Sequence, residues 1–326
     1  MMKQNDCIVV TGAGGLVGSA VVEYLRSQFH SCVIGLGRAD CDLSDHEATR
    51  ELFATIQPTH VFHAAARVHG IGGNMANQAK MFLENTRINT SVVDAAHLAG
   101  VSRITVMGTN CVYPSPPVLP YRESTIFDGR PDASESAYGH AKRGMLAMLE
   151  AYEDSYGLEW SYLVSGNLFG PRDKFDTVNG HVIPSMICKF HEASRFNFKY
   201  NMIDLWGDGT PRRDFLYVKD LARVVYLVMS GDALGVINIG HGETCSISDV
   251  ADLLCKITGI SPMRVHWDTD KPNGRQCCTS DLTRLRGLGF TPSYSLEEGL
   301  RETWEWYSAS KKQDASAGVD WTLGTV

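Results

Sequence analysis

No Cys-x-x-Cys spacing occurs in the chain, although cysteine stands at positions 7, 32, 41, 111, 188, 245, 255, 277 and 278. Without that spacing a zinc or other metal site is not expected. An odd number of thiols, most of them in apolar runs, also argues against a disulfide framework. Reduced cysteines of this kind fit a cytoplasmic setting. No apolar run is long enough to cross a bilayer, and the opening Met1-Met-Lys-Gln-Asn-Asp lacks the apolar stretch of a secretion signal. No membrane partner is therefore expected. Lys/Arg-rich blocks are missing, and a net charge of −7 argues against nucleic acid. Repeats and low-complexity linkers are missing as well. What is present is a chain of 326 residues, 44% apolar and 21% charged, with room for one large or two closely packed domains.

The first informative stretch is Cys7-Ile-Val-Val-Thr11, short, apolar and rich in β-branched residues. It runs straight into Gly12-Ala-Gly-Gly-Leu-Val-Gly18, and apolar residues then recur at helical spacing from Leu16 to Gln28. Strand, glycine turn and helix make a dinucleotide-binding context. Gly12, Gly15 and Gly18 let the backbone turn tightly, and the N–H groups around Leu16 and Val17 can approach a pyrophosphate at the helix N-terminus. A second strand, Cys32 to Leu36, ends at Gly37-Arg38. An arginine there suits a ribose 2′-phosphate, which favours NADP (NADPH) over NAD. Asp42 and Leu43 follow as contacts for the adenine, and Ser44-Asp-His-Glu47 reads as a capping box. Strand three, His60 to His63, leads into Ala64, Ala65 and Ala66, small enough for a cofactor to approach the backbone.

Further strands are expected at Arg103–Met107, Trp160–Val164 and Val236–Ile239. Helices are expected at Ile88–Ala99, Val182–Ala193, Asp220–Ser230, Ile247–Thr258 and Leu296–Tyr307. Alternating strands and helices predict an α/β fold, a doubly wound parallel sheet of Rossmann type whose ligand sits at the carboxyl ends of the strands. A smaller substrate-binding domain would be interleaved with it. Residues 1–170 and 214–240 would form the nucleotide-binding domain, 171–213 and 241–307 the second domain, and 308–326 a loose polar tail that Trp321 could pin.

Tyr138 and Lys142 share one helix face, a turn apart, in Ser136-Ala-Tyr-Gly-His-Ala-Lys142. An ammonium beside a phenol favours phenolate, and such a pair can exchange a proton with a carbonyl oxygen. Thr109 and Cys111 lie just past the end of the fourth strand, in Gly108-Thr-Asn-Cys-Val-Tyr-Pro114.

With these motifs assembled, the chain from about residue 7 to 307 resembles the GDP-L-fucose synthase family of extended short-chain dehydrogenases/reductases. The matches are Gly108 to Pro114, Tyr138-x-x-x-Lys142, Asn167-Leu-Phe-Gly-Pro171, Asn179-Gly-His181-Val-Ile-Pro184, Trp206-Gly-Asp-Gly-Thr-Pro-Arg-Arg213-Asp-Phe and Asp270-Lys271-Pro-Asn-Gly274. The resemblance implies a GDP-4-keto-sugar substrate that is epimerised at C3 and C5 and reduced at C4. It places Thr109, Tyr138 and Lys142 as the reducing triad and Cys111 with His181 as the epimerising pair. Asn167 and Leu168 would face the cofactor. Lys189, Trp206, Arg213 and Lys271 fall on nucleotide-sugar positions, and a homodimer through the helices near 85–100 and 137–155 is expected by analogy.

The chemistry fits those residue types. A 4-keto group acidifies the C–H bonds at C3 and C5, and inversion needs a base on one ring face and an acid on the other. A thiolate and an imidazole titrate in a suitable range, with Cys111 preferred as base and His181 as acid. Some positions depart from the family pattern: Gly14, Asn110, Val164-Ser165-Gly166 and Gln276-Cys277-Cys278. Gly14 stands where the family often has a basic residue, so the NADP expectation rests mainly on Arg38; the other departures bear on the sugar, and a dideoxy sugar or a heptose stays in view. A dehydratase would be expected to carry acids just after Thr109, and a plain C4-epimerase has no use for Cys111 with His181. A catalytically silent NAD(P)-binding regulator would not need Thr109, Tyr138 and Lys142 intact.

Overall fold

The computed structural model describes residues 2–3, 5–28, 32–68, 75–177, 180–195, 202–271, 273 and 276–316. The first half alternates regularly: β1 (Cys7–Thr11), α1 (Leu16–Gln28), β2 (Cys32–Leu36), α2 (His46–Ile56), β3 (His60–His63), α3 (Gln78–Leu98), β4 (Arg103–Met107), α4 (Ser136–Tyr156) and β5 (Glu159–Ser165). There follow β6 (Asn167–Phe169), α5 (Val182–Arg195), β7 (Ile203–Trp206), β8 (Arg212–Tyr217), α6 (Val218–Ser230) and β9 (Gly235–Ile239). The chain continues through β10 (Thr244–Ser246), α7 (Ile247–Thr258), β11 (Val265–Asp268), β12 (Cys277–Cys278), α8 (Thr283–Gly287) and α9 (Leu296–Ser316).

Six parallel strands form the main sheet in the order β2-β1-β3-β4-β5-β9. β3 and β4 are buried at every position, as the continuous apolar runs of a sheet covered on both faces require. One face carries α2, α3 and α4 over Val9, Val61, Ile104 and Tyr162. The other carries α1, α6 and the later helices over Ile8, Val10, Phe62 and Leu163. Each of these fully enclosed aliphatic or aromatic side chains contributes roughly 1.5–3 kcal/mol relative to exposure. The expected doubly wound parallel sheet is the one observed.

A second, smaller sheet joins β10, β8 and β12, with β6 also paired to β8. β6 therefore leaves the main sheet right after β5, across Gly166, and carries the chain toward α5. β7 and β11 form a parallel pair of their own. The domain boundary expected between 213 and 214 falls inside β8.

Three local expectations change. α3 starts at Gln78, well before Ile88: Met81-Phe82-Leu83 is a run of adjacent apolar residues rather than a helical stripe, and of the three only Met81 is buried. The cap of α2 is Asp45, whose side chain accepts from the Ala48 N–H, while Ser44 donates to Asp42 instead. α9 continues past Tyr307 to Ser316, so the first part of the expected tail is helical. Trp321, Asn179 and Gly274 lie outside the described residues.

Candidate active site

The order of the main sheet reverses between β1 and β3, and the strand ends there open onto a cavity of about 740 Å³. Its walls come from the segments after β1, β2, β3, β4 and β5, and from the entrance to α5. Gly12 holds left-handed backbone at φ 71°, and a Cβ there would meet the Ala65 nitrogen at 2.9 Å. A Cβ on Gly18 would collide with the Gly12 carbonyl. No side chain fits between the ends of β1 and β3 and the start of α1, so the backbone itself forms the cradle.

Beneath that cradle lies a fully buried polar chain. Thr11 Oγ1 accepts from the N–H groups of Ala64 and Ala65, each at 3.2 Å, and meets His63 Nδ1 at 2.8 Å. His63 Nε2 meets Asn89 Oδ1 at 3.2 Å, and Asn89 donates to the Ala141 carbonyl. An amide oxygen only accepts, so Nε2 carries the proton and Nδ1 accepts from the threonine. Burial first, then the charge of Lys142, pushes His63 down to about 3 and keeps it neutral. The network ties β1, β3, α3 and α4 together under the site.

Tyr138 and Lys142 lie on the buried face of α4. Lys142 Nζ donates to the Met107 carbonyl at 2.8 Å and stands 6.0 Å from the centre of the Tyr138 ring. Burial lowers Lys142 to about 8. The expected shift of Tyr138 toward phenolate is not observed: burial raises its pKa, and Cys111 and Glu135 add to the rise. The enclosed ring loses more hydration than the lysine offsets, which leaves a neutral phenol, the form that donates a proton.

Cys111 packs with Tyr138 and Met81 in a small buried cluster. It belongs to a single tight turn at Asn110–Val112, capped by Thr109, whose Oγ1 accepts from the Cys111 N–H at 3.3 Å. Sulfur, phenol and threonine hydroxyl are thus gathered at the end of β4. His181 reaches the same cavity from the entrance to α5; its side chain is 52% exposed, with Nδ1 3.8 Å from Asp173 Oδ1. Asp173 raises the imidazole pKa most, burial opposes it, and Glu135 adds a smaller rise.

All of the expected cofactor and reaction residues line this one cavity: Gly12, Gly15, Leu16, Val17, Gly18, Arg38, Asp42, Leu43, Ala64, Ala65, Ala66, Thr109, Cys111, Tyr138, Lys142, Asn167, Leu168 and His181. The four residues expected for the nucleotide-sugar are not in its walls. Lys189 donates to the Asp204 carbonyl at 2.7 Å, and Arg213 donates to the Arg212 carbonyl. Trp206 is exposed at the end of β7, with Lys271 Nζ 6.0 Å from its ring centre. Sequence reading missed Glu135, the Arg67–Glu84 ion pair and the run Arg172-Asp-Lys174, all of which line the cavity. The last follows directly on Asn167–Pro171, yet as three charged residues it looks like an ordinary surface turn.

The NAD dependent epimerase/dehydratase family matches residues 8–240. GDP-L-fucose synthase of Escherichia coli K12 is 33% identical over 317 residues, covering 94% of this chain and 97% of that protein. Among solved structures, a GDP-L-fucose synthetase of Naegleria fowleri is 29% identical with a TM-score of 0.86, covering 96% of this chain and 95% of its own. The GDP-mannoheptose C4 reductase of Campylobacter jejuni, solved with NADP bound, is 28% identical with a TM-score of 0.83, covering 94% and 99%.

Proposed function

We propose a two-stage reaction for this chain, which belongs to the GDP-L-fucose synthase family of extended short-chain dehydrogenases/reductases: epimerisation of a GDP-4-keto sugar at C3 and C5, then reduction at C4 with NADPH. The observation that carries the reading is one cavity lined by Cys111, His181, Thr109 and Tyr138 beside the glycine cradle. The cradle fits a dinucleotide, because a Cβ at Gly12 or Gly18 would fill it. Arg38, exposed after β2, suits a 2′-phosphate, while Asp42 and Leu43 would face the adenine and Ala64 to Ala66 the adenosine side. Lys142, Asn167 and Leu168 would hold the nicotinamide end. Bound NADPH supplies the hydride that C4 receives.

The protein's own groups do the rest. Cys111, as thiolate, takes the proton from C3 or C5, and the resulting enolate oxygen is held by Thr109 Oγ1 and the Tyr138 hydroxyl. His181, as imidazolium, returns a proton to the opposite face. In the second stage Tyr138 protonates the C4 oxygen, and Lys142 replaces the lost charge balance beside it. Lys189, Trp206, Arg213 and Lys271 are proposed for the GDP moiety beyond the cavity, the cations on the diphosphate and Trp206 against the base. Residues 1–170 with 214–240 would carry the cofactor, and 171–213 with 241–307 the sugar nucleotide.

A second reading, a C4 reductase that does not epimerise, is favoured by the likeness to the heptose reductase. A panel of GDP-4-keto hexoses and heptoses, incubated with NADPH in D₂O and followed by NMR, separates the two. Deuterium at C3 and C5 with inverted products supports the two-stage reaction; reduction without deuterium sinks it. A homodimer is supported by exposed Phe82, Leu83 and Leu98 on α3 and Tyr156 on α4, and a cytoplasmic setting by nine free cysteines. Sedimentation tests the first. Among the described residues no helix is long and apolar enough to cross a membrane.

A further inference from the structure

Among the cavity residues to which the chemistry above gives no task, Asp173 stands out. Asp173 sits in the turn between β6 and α5, directly after Arg172, which holds left-handed backbone at φ 64°. A non-glycine residue takes that conformation at a cost, and such strain clusters at functional sites. The contorted turn encloses the acid: its side chain is 6% exposed, and Oδ2 is buried with no hydrogen-bond partner. Oδ1 accepts from the Lys174 N–H and stands 3.8 Å from His181 Nδ1. A carboxylate enclosed with one oxygen unmet favours a cationic donor beside it, and the imidazole is within reach. Catalytic hydrogen bonds are commonly long before substrate arrives.

We propose that Asp173 is the positioning residue of the acid station, its carboxylate gripping Nδ1–H of His181 so that Nε2–H is the proton given to the sugar carbon. The proposal rests on the two-stage reaction. The bookkeeping of protons closes. The C–H bond that breaks gives its proton to the Cys111 sulfur, the new C–H bond takes one from His181 Nε2, and water resets both groups. The neutral ring keeps its Nδ1–H on Asp173 throughout. Other charges facing His181 are few: Lys174 from the same turn opposes its protonation, and Glu135 at the start of α4 favours it. Arg67 and Glu84 in the cavity wall are paired to each other.

The test follows epimerised product by NMR and NADPH oxidation by absorbance, from about pH 6 to 9, for wild type, Asp173→Asn, His181→Asn and the double variant. Asp173→Asn should shift the alkaline limb of epimerisation to lower pH, with a loss of roughly tenfold or more near pH 8 that largely recovers near pH 6, inside the range one general acid supplies. NADPH oxidation, read with the already epimerised 4-keto sugar as substrate, should stay near wild type. In the His181→Asn background the second substitution should add nothing, because the acid acts through the imidazole. An unchanged pH profile in Asp173→Asn overturns the proposal. So does an equal fractional loss in both backgrounds, or a parallel loss of NADPH oxidation, since either marks a merely structural role. If wild type itself returns only unepimerised alcohol, the two-stage reading falls and this proposal with it, a failure visible without any variant.

Discussion

Replacing Tyr138 with phenylalanine removes one oxygen from the proposed proton donor and little else. The ring is enclosed against Cys111 and Met81, and its hydroxyl makes no hydrogen bond with the described residues. Deleting it therefore leaves no orphaned donor, and the melting temperature should stay within about two degrees of wild type. The reaction is another matter. Two hydroxyls, Thr109 Oγ1 and the phenol, are proposed to hold the developing C4 oxyanion, and the phenol, which burial keeps protonated, is the proposed proton donor. Loss of one oriented donor costs on the order of 10²–10³ in rate, or about 3 to 4 kcal/mol of barrier. Single-turnover loss of NADPH absorbance with a GDP-4-keto sugar should slow by that factor. Deuterium uptake at C3 and C5 should fall less, since the enolate loses one of its two donors but needs no proton from the phenol. A reduction rate within about threefold of wild type would refute the assignment and move the donor role elsewhere.

Cys111→Ser should abolish deuterium uptake at C3 and C5 while NADPH oxidation with an already epimerised 4-keto sugar continues; unchanged uptake by NMR removes the thiol as base. Arg38→Ala should raise the KM for NADPH roughly 10- to 100-fold, the worth of a charge-assisted contact, with little change for NADH. Equal effects on both cofactors would dismiss the 2′-phosphate contact. Burial places Lys142 at about 8 in the folded chain, against 10.5 when unfolded. Between those values the unfolded chain binds the extra proton, so its contribution to stability rises with pH across that window and is lost below it. Denaturant melts of wild type and Lys142→Met over this range should differ by that slope, and parallel curves would show that the ammonium is not desolvated.

Much of this was readable from residues alone, because the signals are local. β1, β2, β3 and β4 begin and end where β-branched runs meet glycine, alanine or charge. The Gly12–Gly18 loop announces its helix within a few residues. What escaped notice depends on distant partners. The first turns of α3 carry Asn85, which is fully buried because it clamps the Arg67 backbone through both amide atoms. In sequence it looks like a polar helix surface. The phenol of Tyr138 was expected to ionise beside Lys142. The fold turns the ammonium onto the Met107 carbonyl and encloses the ring, and only the packed structure weighs desolvation against charge. Arg172, Asp173 and Lys174 look solvated until β6 pairs with β8 and carries the turn into the cavity wall.

The two proposed proton stations have different mechanical backing, and that difference bears on how the family's reactions are related. Cys111 hangs from β4, a central strand buried at every position, through a turn capped by Thr109. The same turn carries Thr109, proposed to hold the C4 oxygen, and Tyr138 packs onto it from α4, so the proposed base and reducing groups share one rigid mount. His181 arrives separately, half exposed, at the head of α5, with Asp173 3.8 Å from its Nδ1 on the turn that follows the left-handed Arg172. Reduction needs only the first mount. Inversion at carbon needs both, because the acid must face the base across the ring. Epimerisation can therefore be lost by changes around residues 172–181 without disturbing β4, whereas loss of reduction requires changes at Thr109, Tyr138 or Lys142. On that argument a reductase with this fold differs from a two-stage enzyme at the acid station first, and in this chain the proposed pair of Asp173 and His181 is where such a difference would be read.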